Sequence, residues 1–315
     1  TVGRGMVNKI VVTTLLTALL AWGASAVTTI RAHEGGVCAM ALNPQATLLA
    51  TAGEEKSVKI WELPSLTLVA TLKNHEKKSC QLAFDAEGKT LFSGGDDGKV
   101  MAYRIVSKES RQIAAMATPI FSMAYDVQRH RLAVGTGQGV TMIDPETLAK
   151  GSVMMFGTQP LALAISRQTN RLAVGGSDHH IHLVDLQTQS PVNLLSRHKF
   201  AVWALLADRD ISRLYSAGED RQTLAWSVAA DAKEPLFAFE GAGATLILAQ
   251  SRSGRVIAGG GMDGVIRLWH STDGKKREQF QAHDQAVRGV VFVGAQGWLI
   301  SGGDEGDLKV WSVKD

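Results

Sequence analysis

Short apolar runs of four to seven residues, bounded by glycine- and acid-rich turns, recur along almost the whole chain. The runs "ATAG", "FSGG", "AVGT", "AVGG", "YSAG", "AGGG" and "ISGG" each end in small residues. A turn position follows each, and then a second run such as "SVKIWEL", "GVIRLWH" or "DLKVWSV". Aligning the second runs on Trp61 brings Trp61, Tyr103, Ile143, Val184, Trp226, Trp269 and Trp311 into one column, 40 to 43 residues apart. Six residues before each stands a turn position: Glu55, Asp97, Gly137, Asp178, Asp220, Asp263 and Glu305. Runs this short, at constant spacing and separated by turn residues, predict repeated antiparallel sheets rather than helices.

On these residues the chain resembles the WD-repeat (WD40) family of β-propellers. "SVKIWE" and "LKVWSV" match its third-strand motif. His33, His75, His198 and His283 stand where the family keeps a Gly-His histidine, although glycine precedes none of them. The resemblance covers 27–315 in seven units. It implies an all-β, seven-bladed propeller of four-stranded antiparallel blades, at about 33–72, 75–117, 118–156, 157–197, 198–240, 241–282 and 283–315. Units three, four and six lack the histidine, and three and four also lack the tryptophan. The last unit stops after its third strand, and "TTIRAH" matches the ends of other repeats, so 28–32 is expected to close the ring as the missing strand. In such a blade the histidine, a strand hydroxyl, the turn acid and the aromatic residue form a hydrogen-bonded chain. His75, Ser93, Asp97 and Tyr103 are one expected set; His198, Ser216, Asp220 and Trp226 are another. They are read as structural, not as Ser-His-Asp catalysts.

Composition narrows the function classes. Two of the 33 basic residues, Arg4 and Lys9, lie in the first 26 positions, leaving 31 basic against 30 acidic residues. A neutral body lacks the concentrated positive surface of a nucleic-acid binder. The first 26 residues carry a different pattern: Lys9, the apolar run "IVVTTLLTALLAW", then small residues at Ala24 and Ala26. That pattern predicts a Sec-type signal peptide cleaved after Ala26, with Met6 as the start and a periplasmic or secreted, bacterial product.

Candidate chemistry is sparse. There is no G-x-S-x-G, H-E-x-x-H, Walker or C-x-x-C-H motif, and "GTGQGV" at 135–140 falls on a repeat turn. No catalytic residue, metal or cofactor is assigned. His179, His180 and His182 crowd beside Asp178, but they occupy ordinary turn and strand slots. His180 and His182 fall on one strand face and suit Zn²⁺ or Cu²⁺, yet the sequence offers no third ligand of the three or four required.

By family geometry, one position per inner strand rings the channel mouth: Cys38, Cys80, Phe121, Leu161, Trp203, Thr245 and Arg288. Glu54, Asp96, Glu219 and Asp304 give the same face an acidic border. Phe121, Leu161, Trp203 and Arg288, with those four acids, are the expected partner-binding set, fitting a partner with an apolar knob and basic flanks. Both a Cys38–Cys80 disulfide and two free thiols remain open, since equivalent inner-strand positions sit near the ~7 Å bridging limit. The expectation is a non-enzymatic scaffold or accessory subunit with protein partners, by analogy a c-type cytochrome or an envelope complex. The rival is an enzyme, or a metal- or small-ligand-binding propeller, using the channel mouth.

Overall fold

The computed structural model describes residues 26–166, 170–208, 213–229, 231–294 and 297–313; of the expected signal peptide 1–26, all but Ala26 lies outside them. The described residues form 28 strands in seven four-stranded antiparallel sheets, and none is helical. Six sheets take four consecutive strands in order. The seventh takes Val287–Val293, Trp298–Gly303 and Asp307–Ser312 and borrows its outermost strand, Ala26–Arg31, from the other end of the chain. Ile30 pairs with Leu308 and Thr28 with Val310. Neighbouring inner strands touch all the way round, from Val37–Leu42 to Val287–Val293 and back, so the ring is closed. Every blade therefore has its four strands, and no third strand is left as an unpaired outer edge.

The period-two alternation of a half-exposed sheet is lost in the second strands. Leu48–Gly53 and its counterparts are buried in five of six positions, and Val256–Gly261 in all six. Each is covered by a neighbouring blade on both faces, which is why these runs read as apolar and small throughout.

The paired glycines that end them have a packing cause. A Cβ added to Gly302 would meet Val37 Cγ1 at 2.7 Å, and one on Gly260 would meet Val287 Cγ1 at 2.6 Å. In both, the first residue of the next blade's inner strand sits against a glycine that has no side chain to yield. Where the slot holds alanine instead, at Ala52 and Ala217, the corresponding next-blade residue is the smaller Ser79 or Thr245. The seams are thus matched in volume, as dense packing requires.

Candidate interaction face

The hydrogen-bonded chains come first, because they fix the turns that frame the face. In the fifth blade His198 Nδ1 lies 3.0 Å from Asp220, and His198 Nε2 lies 2.7 Å from Ser216 Oγ. Trp226 Nε1 donates to the same hydroxyl at 2.8 Å. The proton directions follow from the donor inventory. The indole can only donate, so Ser216 accepts from it and gives its own proton to His198 Nε2; His198 Nδ1–H then donates to the carboxylate. Backbone N–H groups of Lys199 and Gln222 also donate to Asp220. Ser216 is completely buried and both of its hydrogen-bonding directions are used, so no substrate reaches it.

The second blade keeps three of its four expected members. His75 bonds Asp97 at 3.1 Å and Ser93 at 2.8 Å. Tyr103 is buried in the core but makes no hydrogen bond to Ser93: it fills the tryptophan's volume without supplying the indole N–H. Two complete chains arise where none was singled out. His33, Thr51, Glu55 and Trp61 form one; His283, Ser301, Glu305 and Trp311 form the other. Both share the residue spacing of the fifth blade, with glutamate replacing aspartate. Burial holds the pKa values of His33, His198 and His283 below the usual imidazole range, against the opposing pull of their carboxylate partners. Burial pushes the Asp97 carboxyl up, but the N–H groups of Glu76 and Lys99 and the His75 ring outweigh it and leave its pKa lowered.

Blades four and six lack the histidine and hold their turn acids by another route. His182 Nε2 bonds Asp178 Oδ2 at 2.9 Å, and Arg267 bonds Asp263 at 2.6 and 3.1 Å. His182 and Arg267 stand at the same third-strand slot, four residues after the acid. His182 is therefore a substitute clamp for the missing histidine. Of its neighbours, His179 packs edge-on to Phe200, with ring centroids 6.1 Å apart, and His180 lies 6.4 Å from the His182 ring. No group of three or more His, Cys, Asp or Glu residues is arranged to hold a metal among the described residues.

The rim positions share a backbone cause. Each of the seven inner strands carries a register shift at its start, between Val37 and Ala39, Ser79 and Gln81, Ile120 and Ser122, Pro160 and Ala162, Val202 and Ala204, Thr245 and Ile247, and Val287 and Gly289. The residue inside the shift is the extra one of a β-bulge, unpaired in the ladder and re-aimed. These residues are Cys38, Cys80, Phe121, Leu161, Trp203, Leu246 and Arg288. Thr245 is thus not a rim residue. It is buried, with its hydroxyl donating to the Gly243 carbonyl, and Leu246 takes the slot. Six of the seven bulge residues are apolar or sulfur-bearing and half-buried; Arg288 is exposed.

The acidic border is only half present. Glu54 is paired with Lys78 at 2.7 Å and Asp304 with Arg288 at 3.0 Å, so two of the four acids are neutralised within the chain. The Lys78 pair, and to a lesser extent the more distant Arg288, hold Glu54's pKa below the usual carboxylate range. The side chains of Asp96 and Glu219 are exposed and make no hydrogen bond or ion pair among the described residues. They flank the two blades that carry Phe121 and Leu161. Three further apolar side chains, not singled out from sequence, are exposed at this end of the blades. Met155, Phe200 and Met262 are each more than half exposed, and all lie in turns or connections at the same end of the blades as the bulges. Cys38 and Cys80 are both reduced and half-buried on neighbouring inner strands.

The profile of the "WD domain, G-beta repeat" matches residues 24–62, 66–104, 233–270 and 274–312. The chain belongs to the WD40-repeat family. Its matched segments include the first, second and last blades, where complete or nearly complete hydrogen-bonded chains stand. This WD40 propeller is 36% identical over 66 residues to Protein ROOT INITIATION DEFECTIVE 3 of Arabidopsis thaliana, covering 21% of the chain and 15% of that protein. It is 25% identical over 186 residues to a 66 kDa stress protein of Physarum polycephalum, covering 58% and 30%. To the U3 snoRNP-associated protein-like EMB2271 of Arabidopsis thaliana it is 26% identical over 155 residues, covering 49% and 32%. The chain thus spans a third or less of the length of these curated relatives. The β-propeller domain of Cps50 (Swd1) from Myceliophthora thermophila superimposes with a TM-score of 0.81 at 16% identity, over 93% of this chain and 100% of that one, a likeness of fold. WD40 propellers typically serve as protein-interaction scaffolds or subunits rather than as enzymes.

Proposed function

We propose that this WD40 propeller is a non-enzymatic scaffold or accessory subunit that docks a protein partner on its channel-mouth face. One observation carries the reading: the bulge ring presents Phe121, Leu161, Trp203 and Leu246 from four consecutive blades, all half-exposed, with Met155, Phe200 and Met262 exposed at the same end of the blades. An apolar arc of this kind is a partner-site signature, with tryptophan a favoured anchor. Asp96, one blade before Phe121, and Glu219, in the blade of Trp203, favour a protruding apolar segment flanked by basic residues. The buried hydrogen-bonded chains support a scaffold over an enzyme, since their reactive-looking groups are consumed in holding turns. The basic, apolar and small-residue order of positions 9–26 supports export to a periplasmic or extracellular space, where an envelope complex or a c-type cytochrome is the partner class by analogy.

The test is photocrosslinking from position 203 in the protein's native compartment, with mass spectrometry of the adduct. The adduct partner should then bind the purified propeller, and Trp203→Ala with Phe121→Ala should abolish binding while Leu68→Ala, on an outer strand, leaves it unchanged. Full retention by the double variant rejects the face.

A further inference from the structure

The chain contains two cysteines, and the fold brings both to one place. Cys38 and Cys80 are the bulge residues of Val37–Leu42 and Ser79–Phe84, the neighbouring inner strands of the first two blades. The two thiols lie close enough to influence each other's ionisation, and neither is fully buried, so both are reached from the channel mouth. Two cations border the pair: Lys78, held by Glu54, and Arg288, held by Asp304. Positive charge beside a thiol favours the thiolate, the reactive form. We propose that Cys38 and Cys80 are a reversible redox pair that closes to an intramolecular disulfide across the seam of the first two blades.

Three features suit the pair to this chemistry. A bulge residue is outside the hydrogen-bonded ladder, so its side chain can move to form the bond without breaking a ladder hydrogen bond. The two sulfurs are also coupled: Cys80's pKa is raised, first by its interaction with Cys38 and then by burial, against the pull of Lys78, so one thiol ionises while the other keeps its proton. Finally, the enclosed loop runs through a whole blade, so the bond would tether the first two blades at the mouth.

The oxidant is a disulfide, either low-molecular-weight or carried by an oxidoreductase, and the reaction is thiol–disulfide exchange. The thiolate of one cysteine attacks one sulfur of the disulfide, forming a mixed disulfide and releasing one thiolate. The second cysteine then loses its proton and attacks the sulfur of the first, forming the intramolecular bond and releasing the second thiolate. The protein loses two protons and two electrons, and the incoming disulfide is reduced to two thiols.

Equilibration of the folded chain in buffers of stepped reduced and oxidised glutathione, quenched in acid, tests this by intact mass and peptide mapping. The expected result is one transition with loss of two hydrogens, a Cys38–Cys80 crosslinked peptide and no accumulated glutathione adduct. Cys80→Ser should trap a glutathione adduct on Cys38, and Cys38→Ser one on Cys80. A wild-type chain that stays reduced in the most oxidising buffer, or that carries glutathione on both cysteines, overturns the pair. None of these readouts involves the partner face, so they stand or fall apart from the proposed docking.

Discussion

Replacing Ser216 by alanine tests whether the hydrogen-bonded chains stabilise the blades. The hydroxyl accepts from Trp226 Nε1 and donates to His198 Nε2, and all three side chains are buried beyond the reach of water. Ser216→Ala leaves two buried polar groups unpaired, at a cost of about 1–3 kcal/mol each, so about 2–6 kcal/mol together. The second blade supplies an internal control. Ser93→Ala orphans only His75 Nε2, because Tyr103 does not bond the hydroxyl, and the loss should be about 1–3 kcal/mol. Urea denaturation followed by circular dichroism reads both variants, and at a slope of about 3 kcal/mol per molar the Ser216 change should lower the midpoint by about 1 M. The reasoning rests on the difference, about 1–3 kcal/mol, which isolates the indole link. Equal losses in the two blades, or a Ser216 variant as stable as wild type, would refute it.

Two further outcomes follow. Deleting 28–32 removes the strand that pairs with Asp307–Ser312, and calorimetry should record a sharply lower Tm, with new self-association through the exposed edge; an unchanged melt would sink the closing role. The buried histidines set the pH dependence: His33, His198 and His283 are held neutral when folded, while the unfolded chain takes up protons near 6.5, so their stabilisation is full above that value and is lost as pH falls through it. Glu55 and Asp97, with lowered pKa values, act in the same direction near pH 4, so Tm should fall from pH 8 to 4; a Tm that is flat between pH 7.5 and 5.5 would contradict the neutral-imidazole assignment.

Much of the architecture was legible because the propeller repeats it. Trp61, Trp226, Trp269 and Trp311 mark the period, and the match of "TTIRAH" to other repeat ends located the closing strand. What stayed hidden has identifiable causes. The chains of the first and last blades went unassigned although their spacing equals that of the fifth, because glutamate stands where aspartate was sought. Thr245 was misplaced because the inner-strand register was counted from the first apolar residue. In the sixth blade the register begins on a threonine, opposite Ala217, where a larger apolar side chain has no glycine to receive it. The neutralisation of Glu54 and Asp304 was out of reach, since Lys78 belongs to the next blade and Arg288 to a different strand. The role of His182 emerged only with its partner: in sequence it stood in a histidine cluster, and in the fold it is a clamp shared in kind with Arg267.

The seven bulges have one more consequence. A ladder residue is constrained by its cross-strand neighbours, and a core residue by the blade beside it. A bulge residue answers to neither, so the ring at the channel mouth is free to drift in chemistry while the sheets keep their hydrogen bonds. Cysteine, phenylalanine, leucine, tryptophan and arginine already share that one structural slot. The propeller has, in effect, a frame inherited by repetition and a seven-letter inscription at its centre that can be rewritten without disturbing it.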